Sequence, residues 1–566
     1  GKHTKRMTKD NAAVGEQFVV NKTKRRKKIT VEKTVSIWTS KDGEKPLQAA
    51  QKDCGFTYAH EKKKHQQAWH KLWHEAAIEV KGDRFTQRVL RLHTYHLLCT
   101  ASAHNEKLDV GMPARGLHGE SYRGHIFWDE IYTQPFYEQH FPHIAKDLLL
   151  YRYRRLDEAQ WLAKEQGFAG AMYPWQSADT GKEETQELHY NPKSKTWGPD
   201  MSRNQRHVNI AIFYNYYRHY HLSGDEEFLL RHGLPVMVDI ARFWSSITTY
   251  ERTTDSYHIK GVMGPDEFHE KYPGRRKAGV DDNAYTNAMV SWLLKKTITL
   301  LKELSKEELL NNNVTVEEME KWQAIASRMH IPMHAGYVEQ FLGYHKLKDV
   351  DFKAYKKKYG SIGRMDRILK AEGKSPDAYK VTKQADFLML YYLLGLREAT
   401  EILRSLGVQI KDARAFLKKH YAYHEKHTTH GSTLSYVVHD AVAAMFGAGK
   451  DAWEAFMKAL KADIDDTQGG TTPEGIHTGL MAGTLNAVVE QFAGASFSDN
   501  ILVLRPRLPK HWEKLTLNLR YREAKYVLSY THKSVQVELY NDDERTVDVK
   551  GKKYVVKKGK RRTIRL

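Results

Sequence analysis

One carboxylic acid in a stiff turn, Glu267 within Gly264-Pro265-Asp266-Glu267-Phe268-His269, has the setting of a proton donor. Breaking a glycosidic bond takes a proton at the leaving oxygen and a nucleophile at the anomeric carbon. An acid that keeps its proton near neutral pH needs partial burial or a neighbouring carboxylate, and Asp266 is next to it in the chain. Phe127-Trp128-Asp129 couples a ring that can stack on a sugar face to a carboxylate that accepts sugar hydroxyls. Lys383-Gln384 adds a cation and an amide for further hydroxyls. His430-Gly431-Ser432-Thr433 precedes a helix expected to start near Leu434 and has the composition of an anion cradle. Its glycine permits close approach, its hydroxyls and amides can point at phosphate oxygens, and a helix N-terminus adds positive potential. Taken singly, these stretches are also a solvated turn, a core tryptophan and a helix cap. Together they point to a glycosidic bond broken with phosphate present.

These residues need a scaffold that gathers distant loops. From about 46 to 495 the apolar positions repeat at helical spacing, as in Trp69, Leu72, Trp73 and Ala76, or Leu234, Met237, Val238, Ala241 and Trp244. The loops that carry chemistry, 111–129, 167–186, 261–287, 428–435 and 467–484, fall between such runs. Many helices with functional loops between them predict a helical barrel or toroid. Residues 1–45 are rich in Lys and hold two strand-like runs, Gln17–Val20 and Ile29–Ile37. From 496 to 566 the pattern alternates, in Leu515–Leu519, Tyr526–Tyr530, Val535–Leu539 and Thr546–Val549, which predicts a small antiparallel β domain. The fold is therefore expected to be mainly α, with linker helices over 46–110 and a helical body over 111–495.

Composition narrows the function classes. The chain has 566 residues, 41% of them hydrophobic and 11% aromatic, enough for two or three units with a large core. The net charge of +21 invites a nucleic-acid reading, but the charge is spread along the chain apart from Lys24–Lys28 and Lys560–Arg562, and no zinc-finger or RRM pattern accompanies it. Two cysteines, Cys54 and Cys99, cannot form a disulfide framework. No apolar run reaches the roughly 20 residues of a membrane span, and no signal-peptide core is visible, so the expected location is cytoplasmic. Metal binding is not expected: His70 and His74 have the spacing of a HExxH helix, but Lys71 replaces the glutamate. No phosphate-loop or dinucleotide fingerprint implies a cofactor.

Eight motifs occur in order: His118–Asp129, Tyr173–Ser177, Glu183–Gln186, Gly264–Glu267, Asp282–Asn287, Lys383–Asp386, His430–Ser435 and Glu474–His477. In this series the chain resembles glycoside hydrolase family 65, which includes maltose, trehalose, kojibiose and nigerose phosphorylases. The resemblance implies an (α/α)6 barrel, a C-terminal β domain and an N-terminal β-sandwich of which residues 1–45 would be a remnant. It implies that Glu267 is the general acid, that Trp128, Asp129, Lys383 and Gln384 hold the donor glucose, and that His430, Ser432 and Thr433 hold phosphate. The implied reaction is reversible, inverting phosphorolysis of an α-glucosyl disaccharide in a homodimer, with inorganic phosphate as co-substrate and no cofactor. Phosphate is already an anionic nucleophile, which explains one acid rather than a pair. Two other readings stand beside it: a hydrolase in which Glu474 activates water, and a non-catalytic carbohydrate-binding relative.

Overall fold

The computed structural model describes residues 3–4, 17–18, 32–54, 56–106, 108–119, 121–467, 472–498 and 500–566. It divides into two units, Gly1–Lys71 and Leu72–Leu566. In the first, strands His3–Thr4 and Gln17–Phe18 pair antiparallel, and Trp38 Nε1 donates to Asp53 Oδ2 at 2.9 Å, at the end of helix Pro46–Asp53. The strand expected over 29–37 is absent from its described part: Glu32–Ile37 belong to no strand. Alternation signals a strand only when something covers the apolar face, and Val35 and Ile37 are exposed. Residues 29–31, Val19-Val20 and the Lys24–Lys28 run lie outside the described residues.

The chain is mostly helical, 48% helix, with a C-terminal sheet domain. In the second unit, six helices form a closed circuit: α1 (Glu130–His140), α2 (Val208–Ser223), α3 (Ala284–Lys302), α4 (Leu388–Ser405), α5 (Leu434–Met445) and α6 (Thr478–Ala487). Each packs on the next, and α6 packs back on α1. A helix enclosed on all sides must be apolar or internally satisfied all round. Accordingly, every residue of α1 and of α6 is buried. A second row of helices covers them, among them Arg84–Thr100 on α6, Leu234–Ile247 on α2 and α3, Val316–Arg328 on α3 and Gly449–Lys461 on α5. These have one apolar face; Gly449–Lys461 buries Ala452, Ala455, Phe456, Ala459 and Leu460.

What precedes each circuit helix matters most. Trp128-Asp129 lead into α1, His207 into α2, Asn283 into α3, Gln384–Phe387 into α4, Ser432-Thr433 into α5 and His477 into α6. Asn283 caps α3, its Oδ1 accepting from Thr286 N at 3.0 Å, a cap worth about 1 kcal/mol. Apart from the Glu267 turn, the chemistry-bearing motifs thus sit at helix N-termini, where backbone N–H groups are unpaired and the dipole is positive.

The C-terminal strands follow the predicted alternation. In chain order the strands of the two sheets are β1 (Ile78–Lys81), β2 (Ala495–Ser498), β3 (Ile501–Leu504), β4 (Lys514–Tyr521), β5 (Ala524–Tyr530), β6 (Ser534–Leu539), β7 (Glu544–Val549), β8 (Lys552–Lys557) and β9 (Arg561–Arg565). One sheet has the order β9-β6-β5-β4-β1 and the other β2-β3-β7-β8. Two features depart from the expectation. β1 comes from the stretch expected to be linker helices and pairs with β4, Val80 opposite Leu515. The domain is also not wholly antiparallel, because β3 and β7 run parallel; the chain leaves for the other sheet between them and returns in the same direction. No described helix is long and apolar enough to cross a membrane.

Candidate active site

The Gly264–Glu267 turn is held by what lies beneath it. Asp266 is 1% exposed, and its Oδ2 accepts from Gln340 Nε2 at 2.5 Å and from His269 Nδ1. His269 Nε2 donates to Tyr379 O at 2.9 Å, so both ring nitrogens donate. Burial alone would lower the His269 pKa, but the Asp266 charge and hydrogen bond and the Tyr379 carbonyl outweigh it and raise it. Gly264 is packed so closely that a Cβ would lie 2.2 Å from Asp386 Oδ2 and 2.4 Å from Asn283 Nδ2. Burial, then the charge of Asp266, pushes the Asp386 carboxyl well above the usual carboxylate range. These anchors leave Glu267 in the left-handed region at φ 60°, a strain of roughly 1 kcal/mol. The expectation that Asp266 acts directly on Glu267 is therefore corrected: neighbours in the chain face opposite ways, and Asp266 is spent on His269 and Gln340.

Glu267 meets Lys383 and Gln384. Lys383 Nζ is 2.5 Å from Glu267 Oε2, and Gln384 Nε2 is 2.8 Å from Oε1 and 2.8 Å from Pro265 O. Gln384 Oε1 is buried with no partner among the described residues, an acceptor left for another group. The backbone continues the connection. Lys383 N donates to Asp266 O at 3.1 Å, Lys383 O accepts from Gly431 N at 2.7 Å, and Thr429 N donates to Thr382 O at 2.9 Å. One short segment, Thr382–Gln384, thus ties the acid turn to the 429–433 turn.

In that second turn the residues divide. Ser432 is 6% exposed, and its hydroxyl has no hydrogen bond among the described residues. The amides of Ser432, Thr433 and Leu434 donate to no backbone carbonyl there either, as the first turn of α5 requires. His430, in the left-handed region at φ 53°, turns its ring away: Nδ1 is 3.0 Å from Ser435 Oγ and Nε2 is 3.2 Å from Glu425 Oε1. Burial, ahead of the other influences, lowers its pKa. Glu425 also meets His439. Glu425, His430 and His439 form one of two three-residue groups of metal-ligating type among the described residues; both rings already face the Glu425 carboxylate.

A third link closes the site. His477 Nε2 donates to Asp129 Oδ1 at 2.8 Å, and its Nδ1 is 2.7 Å from Thr433 Oγ1. With Nε2–H committed to the carboxylate, Nδ1 of a neutral ring accepts the Thr433 hydroxyl proton. Asp129 and Thr433, from α1 and α5, are joined by the residue that leads α6. Trp128 is 2% exposed, with ring centroids 4.7 Å from His207 and 5.7 Å from Tyr132, both edge-on. It stands in an aromatic wall rather than as an open platform. Glu474 is exposed on the short turn Thr472–Glu474.

The structure therefore brings Glu267, Lys383 and Gln384 into direct contact, and joins Asp129 to Thr433 through His477. Residue types alone did not single out His477, Asn283, Asp386 or Gln340. For His477, Asn283 and Asp386 the available signal was their place just before α6, α3 and α4, inside a shared motif; Gln340 stands in none of the motifs and carried no such signal.

The model of the glycosyl hydrolase family 65 central catalytic domain matches residues 91–486, and that of the family's C-terminal domain matches 496–556. An uncharacterized glycosyl hydrolase of Mycobacterium tuberculosis is 39% identical over 535 residues, 93% of this chain and 40% of that protein. The trehalose 6-phosphate phosphorylase of Lactococcus lactis is 40% identical over 502 residues, 88% of this chain and 64% of that one. The kojibiose phosphorylase of Halothermothrix orenii is 33% identical over 498 residues, 85% and 59% respectively. The chain thus spans less than two thirds of the length of these relatives. A solved structure described as "Putative kojibiose phosphorylase from human microbiome" superposes with a TM-score of 0.77 at 25% identity, covering 92% of this chain and 71% of that one.

Proposed function

The chain belongs to glycosyl hydrolase family 65, and from that premise we propose that it cleaves an α-glucosyl disaccharide by inverting phosphorolysis. The products are β-glucose 1-phosphate and a free sugar. Glu267 delivers a proton to the leaving oxygen as the C1–O bond breaks. A phosphate oxygen bonds C1 from the opposite face, and the proton carried by the monohydrogen phosphate returns to Glu267 or to solvent. The anionic nucleophile needs no protein base, so one acid suffices. We read the circuit of six helices as the inner ring of an (α/α)6 barrel, with six N-terminal ends converging on the site.

The observation that carries the reading is the Thr382–Gln384 segment: its side chains hold Glu267 while its backbone holds the 429–433 turn. Acid and anion cradle are one mechanical unit, as in-line attack by phosphate requires. Lys383 and Gln384 would pass from Glu267 to the hydroxyls of the donor glucose, and the Ser432 hydroxyl and first-turn amides of α5 would take phosphate. In this reading His430 acts by holding the turn through Glu425 and Ser435, since its ring nitrogens are occupied. The location is read as cytoplasmic and the assembly as a homodimer. The Lactococcus lactis and Halothermothrix orenii relatives are named for a phosphorylated and a neutral disaccharide, so the acceptor is to be found by synthesis from β-glucose 1-phosphate with a panel of sugars. The reaction class is tested by cleavage with and without phosphate. Phosphate-dependent release of β-glucose 1-phosphate is expected; equal cleavage without phosphate, giving glucose alone, would sink it.

A further inference from the structure

The residues assigned to the donor sugar lie deep: Trp128, Asp129 and Gln384 are 2%, 6% and 2% exposed. Outside them is a rim that none of the roles above uses. Tyr122 is 45% exposed, presented by two consecutive left-handed residues, Tyr122 at φ 56° and Arg123 at φ 52°. Its ring packs on Phe127 at 4.8 Å, and Arg115 stands 5.8 Å from the same ring while donating to Gly475 O at 3.0 Å. The rim continues in the 363–367 segment, which abuts the cradle: a Cβ on Gly431 would lie 1.9 Å from Gly363 O.

That segment carries two guanidiniums and one carboxylate. Arg364 grips Asp366 with two hydrogen bonds, 3.0 and 2.7 Å. Arg367, half-buried, has no side-chain hydrogen bond or ion pair among the described residues, and its Nε is enclosed without a partner. Its pKa is lowered by burial first and then by the charge of Arg364, with Tyr122 and Glu474 close enough to act in the other direction. Arg364 in turn lies within electrostatic reach of Tyr122 and Glu267. Two like charges side by side, one unpaired and partly desolvated, are costly unless an anion joins them. Guanidinium forks match phosphate oxygens in pairs, and a neighbouring exposed tyrosine suits a sugar ring.

We propose that Arg364 and Arg367, beside Tyr122, form a phosphate-group site outside the Ser432-Thr433 cradle, and that it takes the phosphate monoester of the acceptor sugar, a hexose 6-phosphate. This rests on the phosphorylase reading, in which the acceptor sits outside the donor ring and leaves by the rim.

The test is calorimetric binding of glucose 6-phosphate, glucose and inorganic phosphate to the whole protein, which needs no turnover. Glucose 6-phosphate is expected to bind at least tenfold more tightly than glucose. Arg367→Gln, which breaks no side-chain hydrogen bond among the described residues, should erase most of that preference and leave inorganic phosphate binding within about twofold. Arg364→Lys, which keeps a cation for Asp366, should weaken it less. Equal binding of the two sugars by the unaltered protein overturns the proposal, as does a preference that survives Arg367→Gln. Loss of inorganic phosphate binding alone would reassign the arginines to the attacking phosphate and overturn it too. Phosphate-independent cleavage would instead defeat the phosphorylase reading and leave these binding results standing.

Discussion

Lys383 Nζ stands 2.5 Å from Glu267 Oε2. That ammonium holds one carboxyl oxygen and Gln384 Nε2 holds the other, whereas a general acid must have an oxygen turned to the glycosidic bond. The two demands are reconciled if the donor sugar draws Lys383 and Gln384 onto its hydroxyls, so that Glu267 is released only when substrate is bound. Lys383→Met should therefore cut kcat/KM about a hundredfold, the loss of charge-assisted hydrogen bonds worth about 3 kcal/mol, with a raised disaccharide KM. Glu267→Gln should abolish turnover and leave sugar affinity within a few-fold. Steady-state kinetics together with equilibrium sugar binding check both. If Glu267→Gln retains turnover, Glu267 is not the acid.

Ser432 and Thr433 should separate, although they are adjacent. The Ser432 hydroxyl has no partner among the described residues, so Ser432→Ala is expected to raise the phosphate KM about tenfold, the worth of one hydrogen bond of about 1–1.5 kcal/mol, and to leave the sugar KM unchanged. Thr433 is bonded to His477, which holds Asp129. Thr433→Ala should raise both. Initial rates over a grid of the two substrates distinguish these outcomes, and equal effects from Ser432→Ala would count against its role.

The Asp266–His269 pair predicts a pH dependence of stability. The folded pKa of His269 is raised above its ordinary value. The pair's contribution is therefore complete below about pH 6.5 and is lost as pH rises through the folded value. His269→Asn removes the charged partner of the buried Asp266 carboxylate and leaves it Gln340, at a cost of about 3–5 kcal/mol. Thermal melts between about pH 6 and about pH 9 should show the widest gap between the unaltered protein and the variant at the acid end, narrowing upward. A gap that widens toward alkaline pH would contradict the assignment.

Gly264 should tolerate no side chain. A Cβ there meets Asp386 Oδ2 and Asn283 Nδ2 inside their van der Waals radii, and overpacking of this kind costs about 1–3 kcal/mol. Gly264→Ala should lower the melting temperature and displace the acid turn, with kcat falling more than KM rises. Near-native stability and kcat would show that the turn can give way.

Much of the site was legible as residue type. A Gly-Pro turn bearing an acid, a Lys-Gln dipeptide and a Gly-Ser-Thr run are informative because their chemistry is local. The alternation of Ala524–Tyr530 and Ser534–Leu539 was legible too, since burial on one sheet face imposes a period of two. The same rule failed at Glu32–Ile37, where alternation is present and no partner strand among the described residues covers it. Nor could it reveal that Ile78–Lys81 would join a sheet whose other strands lie more than four hundred residues later.

The sequence by itself determined that the stretch from about 46 to 495 is largely helical, through apolar spacing in runs such as Leu234–Trp244, and the identity of the groups that lead the circuit helices. Local steric and hydrogen-bonding preferences suffice for that. Only the tertiary structure decided which groups meet. Asp266 and Glu267 are consecutive and face apart, while Asp129 and Thr433 are joined through His477, which lies 348 residues from the first and 44 from the second. Closing a circuit of helices sets those distances by the sum of many packing contacts, and no single stretch of chain contains that sum.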